Sequence, residues 1–208
     1  MSTWAIVTAG GSGSRFGAPK QYRVLGGVTL LERAVDAVSV HADGVVVALP
    51  AGDVVDLPSS VVRVEGGPTR LASVRAALAA VPPSAQVIVI HGPSHPLAGA
   101  HLTAAVIAAV RAGADAAIPG LPVLDALKRV SEGVVAASVD KSGVVLAQTP
   151  QAFRAAALRA VHADRPDAAE DSELIERAGG RVVVVPGDPA NLHIATPADL
   201  ALAERLVR

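Results

Sequence analysis

Ala9-Gly10-Gly11-Ser12-Gly13-Ser14-Arg15-Phe16-Gly17-Ala18-Pro19-Lys20 directly follows a short apolar run, Trp4-Ala5-Ile6-Val7-Thr8. A strand that feeds a glycine-rich turn and then cationic side chains is a recipe for binding phosphate. Glycines let the backbone approach closely, their amides point at the anion, and a lysine or arginine neutralises what remains. The stretch is not a Walker A loop, because Lys20 follows Pro19 and precedes Gln21. It is not a clean dinucleotide fingerprint, because Gly11-x-Gly13 is followed by Gly17, one residue late. The only tyrosine, Tyr22, has Gly26 four residues on, which removes the Tyr-x-x-x-Lys pair of a short-chain dehydrogenase. Two cations in one loop, Arg15 and Lys20, suit a nucleoside triphosphate attacked at its α-phosphorus, where charge builds on the surrounding oxygens in the transition state.

Outward from this loop, continuously apolar runs predict buried parallel strands at 4–8, 45–49, 61–64, 87–91, 115–119, 182–185 and 192–195. Ala-rich stretches with Ser, Thr, Asp or Pro start signals predict helices at 29–40, 70–80, 98–112, 151–162, 171–178 and 197–207. Their alternation predicts an α/β fold, a Rossmann-like, doubly wound and mostly parallel sheet. One segment breaks the rhythm. Residues 121–149 hold two or three strand-like stretches, interrupted at Ser131-Glu132-Gly133 and Asp140-Lys141-Ser142-Gly143, and no helix. Val134, Val135, Val144 and Val145 give this arm an apolar face it is too small to bury, so it is expected to pack on a second subunit as the arm of a homodimer.

Composition narrows the function classes. The chain has 208 residues, enough for one sizeable core, and is expected to form a single domain over 1–208. Its formal net charge of −1 gives no basic field for nucleic acid or an anionic membrane, so phosphate binding must be local. Four aromatic residues, one Trp, one Tyr and two Phe, leave no stacking platform for single-stranded nucleic acid. Without cysteine there is no disulfide, thiolate metal site or cysteine nucleophile. No basic N-terminal region and no long apolar run is visible, so the cytoplasm is the expected location.

The segment from Ala9 to Tyr22 resembles the opening of the 2-C-methyl-D-erythritol 4-phosphate cytidylyltransferases of the non-mevalonate isoprenoid pathway. Three further motifs follow in the same order: Gly66-Gly67-Pro68-Thr69-Arg70-Leu71-Ala72-Ser73-Val74, Ala147-Gln148-Thr149-Pro150-Gln151 and Thr196-Pro197-Ala198-Asp199-Leu200. Pro122 to Lys128 resembles the family's entry into its dimerisation arm. The resemblance implies CTP on Ala9, Gly10, Gly11 and Gly13, with the cytosine read by Gly67 and Ser73 and Arg70 close by. It implies Arg15, Lys20 and His193 as catalytic groups, and His95, Thr149 and Lys141 of the arm as acceptor-binding groups. It also implies magnesium as the divalent cation.

The departures from the family cluster on one side. His91-Gly92-Pro93-Ser94-His95-Pro96 stands where the family has His-Asp-Ala-Ala-Arg-Pro, so Gly92 replaces a metal-holding aspartate and His95 a phosphate-binding arginine. His193 replaces a lysine, Ala169 a threonine and Lys141 an arginine. Three outcomes remain open on sequence: an enzyme using other carboxylates such as Asp125 or Asp188 for the metal, which leaves the metal ligands unknown; a nucleotidyltransferase for another polyol or sugar phosphate; or a nucleotide-binding protein without turnover. His91 is expected in the core at a strand end, and His41, His101 and His162 on the surface. Glu170, Asp171 and Glu173 read as the acidic first turn of a helix.

Overall fold

The computed structural model describes residues 1–11, 16–164 and 167–207. Along the chain, β1 (Thr3–Thr8) leads through a short 3-10 turn at Lys20–Tyr22 to a small hairpin, β2 (Val24–Leu25) and β3 (Val28–Thr29). Gly26 and Gly27 form its two-residue turn, both at positive φ (60° and 82°), which a hairpin of this length requires. Then come α1 (Leu30–Ser39), β4 (Gly44–Leu49), β5 (Val61–Glu65), α2 (Arg70–Ala80), β6 (Val87–His91), α3 (Ala100–Arg111) and β7 (Ala116–Pro122). The arm region carries β8 (Leu127–Ser131), β9 (Val134–Val139) and β10 (Val145–Ala147). The chain continues through β11 (Gln151–Arg154), α4 (Ala155–His162), α5 (Asp171–Arg177), β12 (Val182–Pro186) and α6 (Pro197–Ala203).

The sheet is α/β and mostly parallel, as expected. β1 is central, paired in parallel with β4 and β6, with β5 outside β4 and β12 parallel to β7. Strand β1 shows why the run at 4–8 had to be apolar throughout. Ala5 and Val7 pack on the layer that includes Leu31, Val35 and Val106, while Ile6 packs on the opposite layer with Val74, Ala77 and Leu158. Because the chain passes from β1 to β4 and β5 on one side and then returns to β6 on the other, a crevice opens at the carboxyl ends of β1 and β6. That is where open α/β sheets bind ligands.

Two helices are fixed by their sequence caps. Thr29 accepts from Glu32 N while the Glu32 carboxylate accepts from Thr29 N, and Thr196 and Asp199 repeat this box ahead of α6, with Pro197 in its first turn.

Three expectations are corrected. Residues 151–154, read as the first turn of a helix, form β11, inserted antiparallel between β6 and β7 with Ala152 and Phe153 fully buried. Residues 192–195 form no strand. Ile194 N donates to Ser94 O (2.7 Å) and Ile194 O accepts from Lys20 Nζ (2.6 Å), so this backbone is spent on a loop and a side chain instead of a ladder. The helix expected to reach 207 ends at Ala203. In the arm, only β8 and β9 stand apart as a two-stranded sheet, whereas β10 returns to the main sheet on the edge of β7.

Candidate active site

The crevice is a cleft of about 640 Å³ between the loops that leave β1, β5 and β6 and the chain around β10, β11 and the start of α5. On one side, Gly10 and Gly11 line it from the β1 loop, and Gly67, Pro68, Thr69, Arg70 and Ser73 from the turn into α2. The two loops converge because glycines remove side chains where they meet. A Cβ on Gly66 would lie 3.0 Å from Ser73 Oγ, one on Gly10 3.3 Å, and one on Gly67 only 2.4 Å from the Ala72 Cβ. Ser73 is buried, accepts from Gly67 N (3.2 Å) and donates to Thr69 O (3.0 Å), which ties the turn to the first coil of α2.

Arg70 is held from behind. Its guanidinium pairs with Asp171, which has no exposed surface and whose second oxygen accepts from His162 Nε2 (2.9 Å). Asp171 stands in the acidic first turn of α5, as expected, and is also a buried link between α2, α4 and α5. His162, expected on the surface, is buried beside it.

On the opposite side lie His91 at the end of β6, Gly92, Ser94 and His95 after it, Thr149 and Gln151 from the β10–β11 junction, Ala169 and Glu170, and His193. The His95 and His193 rings stack, with centroids 4.9 Å apart and planes 17° from parallel. Thr149 Oγ1 lies 2.8 Å from His91 Nδ1 and 3.3 Å from His95 Nδ1. Burial pushes both His91 and His95 down to about 3, and for His95 the neighbouring His193, His91 and Lys20 act in the same direction. Gln148, itself buried, donates to the carbonyls of Asp188 and Asn191 and accepts from Asp188 N, while Asn191 Nδ2 donates to Thr149 O. The loop carrying His193 is thus clamped to the strand junction carrying Thr149.

Most residues singled out from sequence converge here. Gly10, Gly11, Gly67, Arg70, Ser73, His95, Thr149 and His193 line one cleft. Lys20 reaches the same region through its bond to Ile194 O. Arg15 and Gly13 lie outside the described residues. Ala9 is buried, its N donates to Ala48 O (2.8 Å), and it lies in the chain between the cleft-lining residues Thr8 and Gly10. Lys141 sits in the exposed arm and donates to Leu124 O, away from this cleft. Sequence reasoning missed Thr8, Glu170 and Gln151 as lining residues and placed His91 only in the core. His91 is indeed buried, and it also faces the cleft; Gln151 was legible as the last residue of the Thr-Pro-Gln motif.

The described residues of the cleft offer a divalent cation few side-chain ligands. Among the described residues lining the cleft, Glu170 is the only carboxylate, and it accepts from Gln151 Nε2 (3.1 Å). No group of three His, Asp or Glu side chains suited to a metal occurs among the described residues. Asp125 and Asp188 do not line the cleft, and Asp188 is engaged by Ala190 N and His101.

Comparison with known proteins agrees with this geometry. The family model described as IspD, 2-C-methyl-D-erythritol 4-phosphate cytidylyltransferase, matches residues 3–208. The chain is 41% identical over 225 residues to the 2-C-methyl-D-erythritol 4-phosphate cytidylyltransferase of Saccharopolyspora erythraea, covering 100% of both chains. It is 44% identical over 210 residues to the bifunctional enzyme IspD/IspF of Paracoccus denitrificans, covering 98% of this chain and 55% of that protein. The chain thus spans about half the length of the bifunctional relatives it matches. The crystal structure of the Thermus thermophilus cytidylyltransferase superposes with a TM-score of 0.88 at 34% identity over 100% of both chains. With a family match over nearly its whole length, the chain belongs to the IspD family of 2-C-methyl-D-erythritol 4-phosphate cytidylyltransferases.

Proposed function

We propose that this chain transfers CMP from CTP to 2-C-methyl-D-erythritol 4-phosphate and releases pyrophosphate, a step in isoprenoid precursor synthesis. CTP lies with its base against Gly67 and Ser73, beside Arg70, and its phosphates on Gly10 and Gly11, with Arg15 and Lys20 as the neutralising cations. One observation carries the reading: Lys20, from the donor loop, reaches Ile194 next to His193 at the far side of the cleft. A cation at the seam between the two halves is where an α-phosphorus attacked by a second phosphate would lie.

A phosphate oxygen of the acceptor forms the new bond to the α-phosphorus, and the bond to the β-phosphate oxygen breaks. The nucleophile is already anionic, so no general base is needed, and catalysis rests on positioning and charge neutralisation. His95, His193 and Thr149 hold the acceptor phosphate, and Lys141 reaches the site of a second subunit through the arm of a homodimer. Magnesium enters with the triphosphate as part of the substrate, since the described side chains offer it one carboxylate. A nucleoside triphosphate donor fits a cytoplasmic setting; no helix among the described residues is long and apolar enough to cross a membrane.

Pyrophosphate release from CTP, magnesium and 2-C-methyl-D-erythritol 4-phosphate tests the proposal. Lys20→Ala is expected to lower turnover by at least about a hundredfold, the scale for losing one transition-state charge contact, with the circular dichroism spectrum unchanged. Retained turnover would sink the assignment. The histidine-built acceptor side favours a second reading, a nucleotidyltransferase for another polyol phosphate, and release with a different acceptor in a panel would select it. Saturable CTP binding with no release from any acceptor would instead mark a nucleotide-binding protein without turnover.

A further inference from the structure

The ladder between β12 and β7 ends where Gly187 N donates to Gly120 O (3.0 Å), and the chain beyond it reaches the cleft at His193 as a loop. A buried side chain takes the place of the missing ladder. The Gln148 amide meets Asp188 as a peptide group would: Oε1 accepts from Asp188 N (3.0 Å) and Nε2 donates to Asp188 O (2.9 Å). The second hydrogen of Nε2 goes to Asn191 O (2.9 Å), so both donors of the amide are used. Only this orientation of the amide fits, because the reverse would set its oxygen against two carbonyl oxygens. The Gln148 backbone is itself fixed to β7, N to Pro119 O (2.8 Å), and Gly187 leaves room for the amide. A Cβ on Gly187 would lie 2.7 Å from Gln148 Oε1.

Asn191, also buried, closes the network: its Nδ2 donates to Thr149 O (2.9 Å) and its N to Asp188 O (3.0 Å). His193 follows two residues later and precedes Ile194, whose N donates to Ser94 O and whose O accepts from Lys20. The ring is therefore tethered on both sides, upstream by the Gln148 amide and downstream by Ile194, and it stacks on His95. Holding a loop in one conformation costs conformational entropy, and fully satisfied buried amide bonds offset that cost. Neither Gln148 nor Asn191 lines the cleft, so any effect they have on a ligand must pass through the residues they hold.

We propose that Gln148, with Asn191, is the positioning residue for His193, presetting its ring against His95 so that the acceptor phosphate meets both imidazoles already in place. The identity of that ligand rests on the cytidylyltransferase reading; the positioning of the ring does not. The network joins the loop after β12 to the β10–β11 junction and makes no bond to the turn into α2 that carries Gly67, Arg70 and Ser73. Its loss is therefore felt by the acceptor and not by the cytosine.

Proton spectra of the histidine rings in the whole protein, free of substrate, test this without turnover. Stacked rings shift each other's resonances, and His193→Ala marks the value for an unstacked His95. Gln148→Met is expected to bring the His95 resonance to that value; a stacking shift left intact overturns the proposal. Asn191→Ala, which removes a single bond to Thr149 O, should move the same resonance in the same direction by less, and it decides the matter where Gln148→Met does not fold. In turnover, Gln148→Met should raise the acceptor KM about tenfold, the scale of one lost hydrogen bond, with CTP affinity in calorimetry changed by less than about twofold. Added to His193→Ala, the same substitution should leave the acceptor KM where it was, since the two act as a unit. A further rise there, or a parallel loss of CTP affinity, overturns the role through His193. If no acceptor supports pyrophosphate release, the cytidylyltransferase reading fails while the ring resonances still decide the positioning.

Discussion

Asp171 holds two partners from two helices on a carboxylate with no exposed surface. Removing it leaves His162 without its Nε2 partner in the interior and frees Arg70, which is about a third exposed at the cleft. Breaking a buried charged pair costs about 3–5 kcal/mol, and the partial exposure of Arg70 puts this case at the lower end. Asp171→Ala is therefore expected to lower the unfolding free energy by about 3 kcal/mol in urea titrations and to weaken CTP binding, because Arg70 loses its support. Gly67 makes a purely steric prediction. A Cβ there meets Ala72 at 2.4 Å, against the first turn of α2, and overpacking of this kind costs about 1–3 kcal/mol. Gly67→Ala should displace the start of α2 and weaken CTP binding by about tenfold in calorimetry.

At the scale of elements, the β8–β9 hairpin is set by its turn. Ser131 pairs with Val134 across Glu132 and Gly133, whose φ values of 50° and 81° are those of a two-residue hairpin turn. The hairpin was legible as an interruption of the strand–helix rhythm, but its faces were not. Every residue of β9 is exposed, and Val130, Val134 and Val135 present apolar surface that an isolated two-stranded hairpin cannot cover. Under the homodimer proposal, Val134→Lys with Val135→Lys should shift the protein toward monomer in sedimentation velocity while each chain still binds CTP. An unshifted dimer would place the interface elsewhere. Strand β11 marks the limit of pattern reading at this scale. Gln151-Ala152-Phe153-Arg154 continues into the alanines of α4, and nothing local distinguishes its strand from a first helical turn. The gap between β6 and β7 decided it, since a strand there completes both ladders.

Across the whole molecule, two buried histidines make stability depend on pH. Both His91 and His95 have folded values near 3, below the ordinary value of 6.5, because burial disfavours the charged form. In the unfolded chain they bind protons from about pH 6.5 downward, and in the folded protein only near pH 3. The unfolded state therefore binds more protons between these limits, and stability rises with pH there. Stability from these groups should be complete above about pH 6.5 and fall as pH drops toward 3, by at most about 1.4 kcal/mol per pH unit for each histidine. Urea midpoints for the protein and for His95→Gln between pH 7 and 4 check this, with the variant expected to show the shallower decline.

The sequence by itself determined the alternating strands and helices, the glycine-rich loop after the first strand and the family. Those features are local: runs apolar enough to be buried on both faces, capping residues such as Thr29 and Thr196, and glycines beside cations. It also brought out Gly92, His95, Ala169 and His193 as departures from the pattern of the family it resembles. Only the tertiary structure decided what those positions do together. Residues 91, 95, 149 and 193 come from three separate stretches of chain, and whether they touch depends on how β6, the β10–β11 junction and the loop after β12 are packed. The same holds for Arg70, Asp171 and His162, whose mutual contact no spacing encodes. Burial and the count of hydrogen-bond partners are properties of the folded assembly, and they turned three isolated histidines into one side of a cleft.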